Sequence, residues 1–135
     1  MMFEVKIQDI VSEDYCFEKV RELRWTNGVH CPACNSHNVK KEGMKTSRQY
    51  YQCRECNKKF DDLTDTVFSN SKLPLKTWIL CLYFMGLNLS NVQIAKELDI
   101  NVKTAHYMTE KLRGEISEKK LIYSLMERLN VMKST

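Results

Sequence analysis

Proline and glycine are scarce, with two of the first and four of the second in 135 residues. That excludes a long flexible linker and a low-complexity tail, and no internal repeat is visible. Long apolar runs are missing too. The most apolar stretch, Trp78-Ile79-Leu80-Cys81-Leu82-Tyr83-Phe84-Met85, is far below the roughly twenty residues needed to span a bilayer, so a buried helix is expected there and no membrane partner. The opening Met1-Met2-Phe3-Glu4-Val5-Lys6 lacks the apolar core and cleavage site of a secretory leader. A cytoplasmic setting is the expectation, one that keeps cysteines as thiols.

No strong excess of one charge exists either: the net charge is +4. Its distribution is uneven. Ser36 to Phe60 holds seven basic and two acidic residues, Asp61 to Ser71 holds three acids, and Lys72 to Thr135 holds ten basic against six acidic residues. Positive charge concentrated in two regions is the footprint of a polyanion partner, though solvated lysines are the ordinary reading of such faces.

What is present in quantity is cysteine. Cys31-Pro32-Ala33-Cys34 is followed, after eighteen residues, by Cys53-Arg54-Glu55-Cys56. Two Cys-x-x-Cys pairs at this separation suit one tetrahedral zinc, because each two-residue gap lets a tight turn aim both thiolates at one ion. A redox motif needs only one pair, and a catalytic zinc keeps an open coordination position that four thiolates would fill. One structural Zn2+ held by Cys31, Cys34, Cys53 and Cys56 is therefore expected. Asn35 and Asn57 follow the pairs and tolerate a left-handed backbone. His30 and His37 stand close enough in sequence to be substitute ligands, against the plainer reading as surface groups.

Ser12, with Glu13 and Asp14 behind it, predicts a helix start, and Cys16, Val20 and Leu23 give that helix an apolar stripe to about Arg24. Trp25 is expected to pack on the metal module. Asn38 to Glu42 and Gln49 to Gln52 predict two strands joined through Gly43 to Ser47, with a third through Lys59-Phe60. Lys40, Lys41, Lys45 and Arg48 decorate the hairpin, with Tyr50 and Tyr51 interleaved as rings able to stack on bases. Asp61, Asp62 and Asp65 invite a metal-dependent phosphoryl-transfer reading, but three acids in one short exposed stretch are more often turn formers and caps.

Farther on, Pro74 suits the first turn of a helix running to Met85 and stopped by Gly86. Ser90 and Gln93 form a capping box; Ile94, Ala95 and Leu98 give one short helix its inner face. After the turn Asp99-Ile100-Asn101, residues Val102, Ala105, Met108 and Leu112 give a second helix its own. Two such helices predict a helix-turn-helix, with Lys103, Thr104 and Tyr107 presented to base edges, His106 at the margin and Lys111 to phosphate. From Ser117 on, Leu121, Ile122, Leu125, Leu129 and Met132 mark an amphipathic helix.

The series Leu23-Arg24-Trp25, Gly28-Val29, Cys31-Pro32-x-Cys34, Tyr51-x-Cys53-x-x-Cys56, Phe60, Thr66-x-Phe68, Ser71-x-Leu73-Pro74-Leu75-x-x-Trp78 and Ile94-Ala95-x-x-Leu98 resembles the N-terminal region of bacterial insertion-sequence transposases of the DDE type, across roughly Ser12 to Ile116. The resemblance implies recognition of an element's terminal inverted repeats. Where that family often has glycine, this chain has Asn35, Asn57 and Asp99. Such transposases continue into an RNase-H-like catalytic domain, for which the residues after Ile116 are too few, so no enzyme is expected.

The expected fold class is α+β, a small zinc-ribbon β-hairpin module followed by an all-α helix-turn-helix module. Residues 1–28 are assigned to an N-terminal helix on the ribbon, 29–66 to the ribbon, 67–116 to the helix-turn-helix and 117–135 to a C-terminal amphipathic helix. The expected function is sequence-specific binding of double-stranded DNA by a cytoplasmic, nucleoid-associated protein, with no small-molecule substrate. The alternative is a docking module for a full-length transposase or another partner, or a homodimer formed through the last helix.

Overall fold

A computed structural model describes residues 11–116 and 120–133 of the chain. Helix α1, Glu13–Arg24, starts where expected because the Ser12 hydroxyl accepts from the Tyr15 N–H at 3.0 Å. It buries Cys16, Phe17 and Val20. Strands β1 (Val39–Lys45), β2 (Arg48–Cys53) and β3 (Lys59–Asp61) form an antiparallel sheet in that order. Helices α2 (Leu75–Gly86), α3 (Asn91–Leu98), α4 (Val102–Ile116) and α5 (Lys120–Lys133) complete the α+β fold.

The hairpin is longer than its sequence suggested. Gly43 does not end β1; at φ 114° it sits in a bulge where the register slips between Lys41 and Gly43, and pairing resumes to Lys45 opposite Arg48. The connection is only Thr46-Ser47. Helix α2 ends at Gly86, one residue beyond the expected Met85, and the chain turns at Leu87 and Asn88, the latter at φ 63°.

Helix α2 is the hub of the helical body and touches all four other helices. Trp78, Leu80, Cys81 and Leu82 lie at its centre, joined by Phe17 and Val20 of α1, Ile94 and Leu98 of α3, Met108 and Leu112 of α4, and Ile122 and Leu125 of α5. Nothing local caps the start of α2, because Pro74 offers no side-chain acceptor. Glu13 of α1 does so from across the chain, accepting from Leu75 N and Lys76 N at 2.8 Å each. A carboxylate there satisfies two unpaired amides and the positive end of the helix dipole together. Sequence proximity had suggested Glu13 as an acid for its own helix.

A second, smaller core holds Cys31, Tyr51, Cys53 and Phe60, with Trp25, Val29 and Val39 against it. Trp25 meets Tyr51 and Phe60 edge-on at 6.1 and 6.2 Å. The expected apolar stripe of α5 is present at Ile122 and Leu125; the side chains of Leu129 and Met132, and Ser117, lie outside the described residues.

Candidate metal centre and nucleic-acid interface

The two Cys-x-x-Cys turns fold alike. Cys31 N donates to Ser36 O and Asn35 N returns to Cys31 O, both at 2.9 Å; in the second turn Cys53 N donates to Lys58 O at 2.9 Å and Asn57 N to Cys53 O at 3.0 Å. Each turn closes through its asparagine in the left-handed region, Asn35 at φ 63° and Asn57 at φ 65°. Asparagine enters that region at lower cost than other side-chain-bearing residues, so the absence of glycine leaves both turns intact.

The four sulfurs converge. All lie within 4.8 Å of one another, with Cys31 Sγ 3.5 Å from Cys56 Sγ and Cys34 Sγ 3.5 Å from Cys53 Sγ. A tetrahedron of thiolates at the usual Zn–S length has edges of about 3.8 Å, so the set fits one zinc ion with little adjustment. Backbone amides lower two of its thiols. At Cys34 and Cys56 the amides of Ser36 and Lys58 are outweighed by hydrogen bonds with the neighbouring cysteines, which raise Cys34 to about 12 and raise Cys56 as well. The Cys53 thiol is lowered by N–H groups of Cys56 and Glu55 directed at its sulfur. The Cys31 thiol, which desolvation alone would raise, is brought down to about 7 by amides of Cys34 and Ala33. Cys31 and Cys53 are buried while Cys34 and Cys56 are exposed, so the ion is held at the rim of the small core. Four thiolates leave no open position for substrate; the zinc is structural. His30 and His37 contribute no ligand to the cluster; they meet each other, and His30 stands edge-on to Trp25.

Behind the metal stands a group that sequence reading misplaced. Asp62 is not an exposed turn former but fully buried. Its carboxylate accepts from Arg21 Nη1 at 2.8 Å, Tyr51 Oη at 2.9 Å and Gln49 N at 3.0 Å, with Trp25 Nε1 at 3.4 Å. It ties α1, β2 and the loop after β3 together. Arg24 adds to the joint by donating to the Asp62 carbonyl at 2.6 Å and to that of Thr64. Tyr51 is consequently unavailable for stacking on bases, and burial together with Asp62 raises its phenol well above the usual range. Asp61 caps the next turn by accepting from Leu63 N at 2.8 Å. No signal local to Asp62 separates it from Asp61 and Asp65, because its partners come from distant segments.

Lys40, Lys41 and Lys45 are exposed along β1, and Lys40 stands 3.9 Å from Glu42. Arg48 is partly covered, 3.8 Å from Asp61 and over the Phe17 ring. The register groups Lys45 with Arg48, while Lys40 and Lys41 pair with Gln52 and Tyr51 farther along the hairpin.

The other expected residues lie on α4. The preceding turn is built at Asp99, φ 57°, and Asn101 caps α4 by accepting from Thr104 N at 2.8 Å. Ala95 and Ala105, both buried, allow α3 and α4 to meet closely. Lys103 and Tyr107 are exposed and Thr104 half-buried. The Lys111 ammonium lies over the Tyr107 ring, 5.4 Å from its centre. His106 is tied into the helix pair, its Nδ1 3.1 Å from Asn91 Nδ2 and its Nε2 3.4 Å from Glu110; the buried Thr109 hydroxyl donates to Asn91 Oδ1 at 3.0 Å. Val102, expected on the inner face, is 46% exposed because it precedes the point where α4 reaches its neighbours. Sequence periodicity weighed it as core.

Comparison with known proteins agrees with this geometry. Residues 11–59 match the transposase zinc-ribbon domain family. Over 101 residues the chain is 37% identical to an uncharacterized protein in transposable element ISH50 of Halobacterium salinarum. The alignment covers 74% of this chain and 34% of the relative, so the chain spans about a third of that protein's length. No solved structure matches. The profile match and the four converging thiolates together identify residues 11–59 as a transposase-type zinc ribbon, carrying one structural zinc site.

Proposed function

We propose that the chain binds double-stranded DNA at a specific sequence, with α4 lying in the major groove. The observation that carries this reading is the division of α4: Ala105, Met108, Thr109 and Leu112 are buried, while Lys103 and Tyr107 are exposed. A groove-reading helix needs such a division, since its packed side sets depth and angle and its free side meets base edges. Lys103, Thr104 and Tyr107 are assigned to base edges, His106 to the margin of that face and Lys111 to phosphate. Val102 adds apolar surface suited to a thymine methyl group.

On this reading residues 67–116 form the reader, and the ribbon of residues 29–66 adds backbone contacts through Lys40, Lys41, Lys45 and Arg48. The similarity to a protein of a transposable element supports terminal inverted repeats as the site. The role is non-enzymatic recognition on the nucleoid, in the cytoplasm. Four thiolates around the metal and the engagement of Asp62 in an internal network favour it over catalysis. Docking through α5 is less supported, because Ile122 and Leu125 are packed into the chain's own core with Leu121 against them.

A gel-shift series against duplexes selected from a random pool tests the proposal. We expect a complex that survives competitor DNA and whose log affinity falls linearly with log salt. Failure to bind any selected duplex would overturn it, and a complex unaffected by charge reversal at Lys103 and Lys111 would move the contact off α4.

A further inference from the structure

The tip of the hairpin is assembled from locally unfavourable choices. Lys45 and Arg48 face each other in direct register, and like charges so placed destabilise a sheet. Between them the two-residue turn holds Thr46 at φ 51° and Ser47 at φ 73°. Asparagine and glycine enter that region at far less cost than a β-branched threonine. The tip is nonetheless pinned: the Ser47 hydroxyl donates to Asp14, and Arg21 Nη1 donates to the Ser47 carbonyl at 3.0 Å.

This tip shares a cleft of about 610 Å³ with the segment 71–76 that leads into α2, completed by Glu13 and Phe17 of α1. Lys45, Arg48, Lys72 and Lys76 line it, with Tyr50 among them, and Glu13 is the one acid among its described lining residues. Lys76 already has an interaction of its own, so the uncompensated charge is that of Lys45, Arg48 and Lys72. Both oxygens of Glu13 are already occupied by the amides that open α2. Arg48 has a long 3.8 Å contact with Asp61 and lies over the Phe17 ring, and neither Lys45 nor Lys72 has a salt-bridge partner among the described residues. Surplus positive charge is therefore gathered into a concavity with two cations held opposite each other. An anion seated between them would relieve their repulsion and gain charge-assisted hydrogen bonds.

We infer that this cleft holds the phosphate backbone of the bound DNA duplex, beyond the bases that α4 meets, and supplies affinity without sequence preference. The inference rests on the duplex-binding reading above. The derivation of the cleft from three separate segments suits a continuous phosphodiester chain.

The test uses the full zinc-loaded chain, a selected duplex and a shuffled duplex of equal length. For the double variant Lys45→Gln with Lys72→Gln we expect affinity for both duplexes to fall by the same factor, roughly tenfold. The slope of log affinity against log salt should shrink by about two. Lys45→Gln alone should leave the denaturation midpoint unchanged or raise it, since it removes a repulsion. A second variant, Thr46→Asn, eases the turn while keeping the charges and the Ser47 contacts; it should be at least as stable as wild type. If wild type binds duplex and the double variant matches it in affinity and slope, the cleft is overturned and the α4 reading stands. A loss confined to the selected duplex also overturns it, because the cleft would then be reading sequence. If wild type binds no duplex, both readings fall.

Discussion

Two of the six cysteines have nothing to do with metal, and the structure gives the reason. Burial pushes the Cys16 thiol from an ordinary 9.0 up to about 11 and the Cys81 thiol up to about 12. Both stay protonated and shielded at neutral pH. We expect a thiol reagent to leave the zinc-loaded protein largely unlabelled, to modify Cys31, Cys34, Cys53 and Cys56 after chelation, and to reach Cys16 and Cys81 only on global unfolding. The same shifts carry a sign for stability. A raised folded-state pKa means the unfolded chain loses its proton first, so this contribution is intact below pH 9 and declines as pH rises toward 11 and 12. Urea midpoints measured across that alkaline range should fall. The metal ligands were legible in the sequence because their spacing encodes their geometry. Asp62 was not, since Arg21, Gln49, Tyr51 and Trp25 converge on it from other parts of the chain. Asp62→Ala leaves a partly buried guanidinium and a buried phenol without their acceptor. A loss of about 3 kcal/mol in denaturant unfolding is expected.

Among the elements, helices were read well where caps and periodicity agree, as at Ser12 for α1 and the Ser90–Gln93 box for α3. Strands were read short, because Gly43 marks a bulge and Thr46-Ser47 has the φ signs of a tight turn without the residues that usually announce one. The α3–α4 angle depends on a contact the sequence did not reveal. Thr109 is fully buried and its hydroxyl reaches back to Asn91, which in turn meets His106. Thr109→Val conserves shape and removes the donor, so a cost of roughly 1–2 kcal/mol is expected in denaturant unfolding. If the helix pair is the reader, the variant should also weaken binding to a selected duplex. An unchanged midpoint would show that packing of Ala95 against its neighbours is sufficient to hold the pair.

At the scale of the molecule, two cores of unequal independence are joined by a polar hub. The helical core is large and organised around α2, whereas the ribbon core comprises Cys31, Tyr51, Cys53 and Phe60 with a few partly covered neighbours. A core that small needs its metal to stay folded. Chelation should therefore dissolve the sheet and change the surroundings of Trp25, seen in near-ultraviolet dichroism, while most helical signal persists. Complete loss of helicity would mean that the Asp62 hub couples the two cores into one cooperative unit. The sequence reading set the N-terminal helix on the ribbon, whereas Cys16, Phe17 and Val20 of α1 pack in the helical core. The way the two cores are joined was not legible, because hub and Glu13 cap both act across long sequence separations.

The central claim is that α4 discriminates among DNA sequences. The most direct measurement compares affinities for a selected and a shuffled duplex at one salt concentration, for wild type and for Lys103→Ala with Tyr107→Ala. We expect wild type to prefer the selected duplex by a factor on the order of a thousand or more. The variant should lose most of that preference while keeping its affinity for the shuffled one within about tenfold. Equal affinity of wild type for both duplexes, or a variant that retains the full preference, would contradict it.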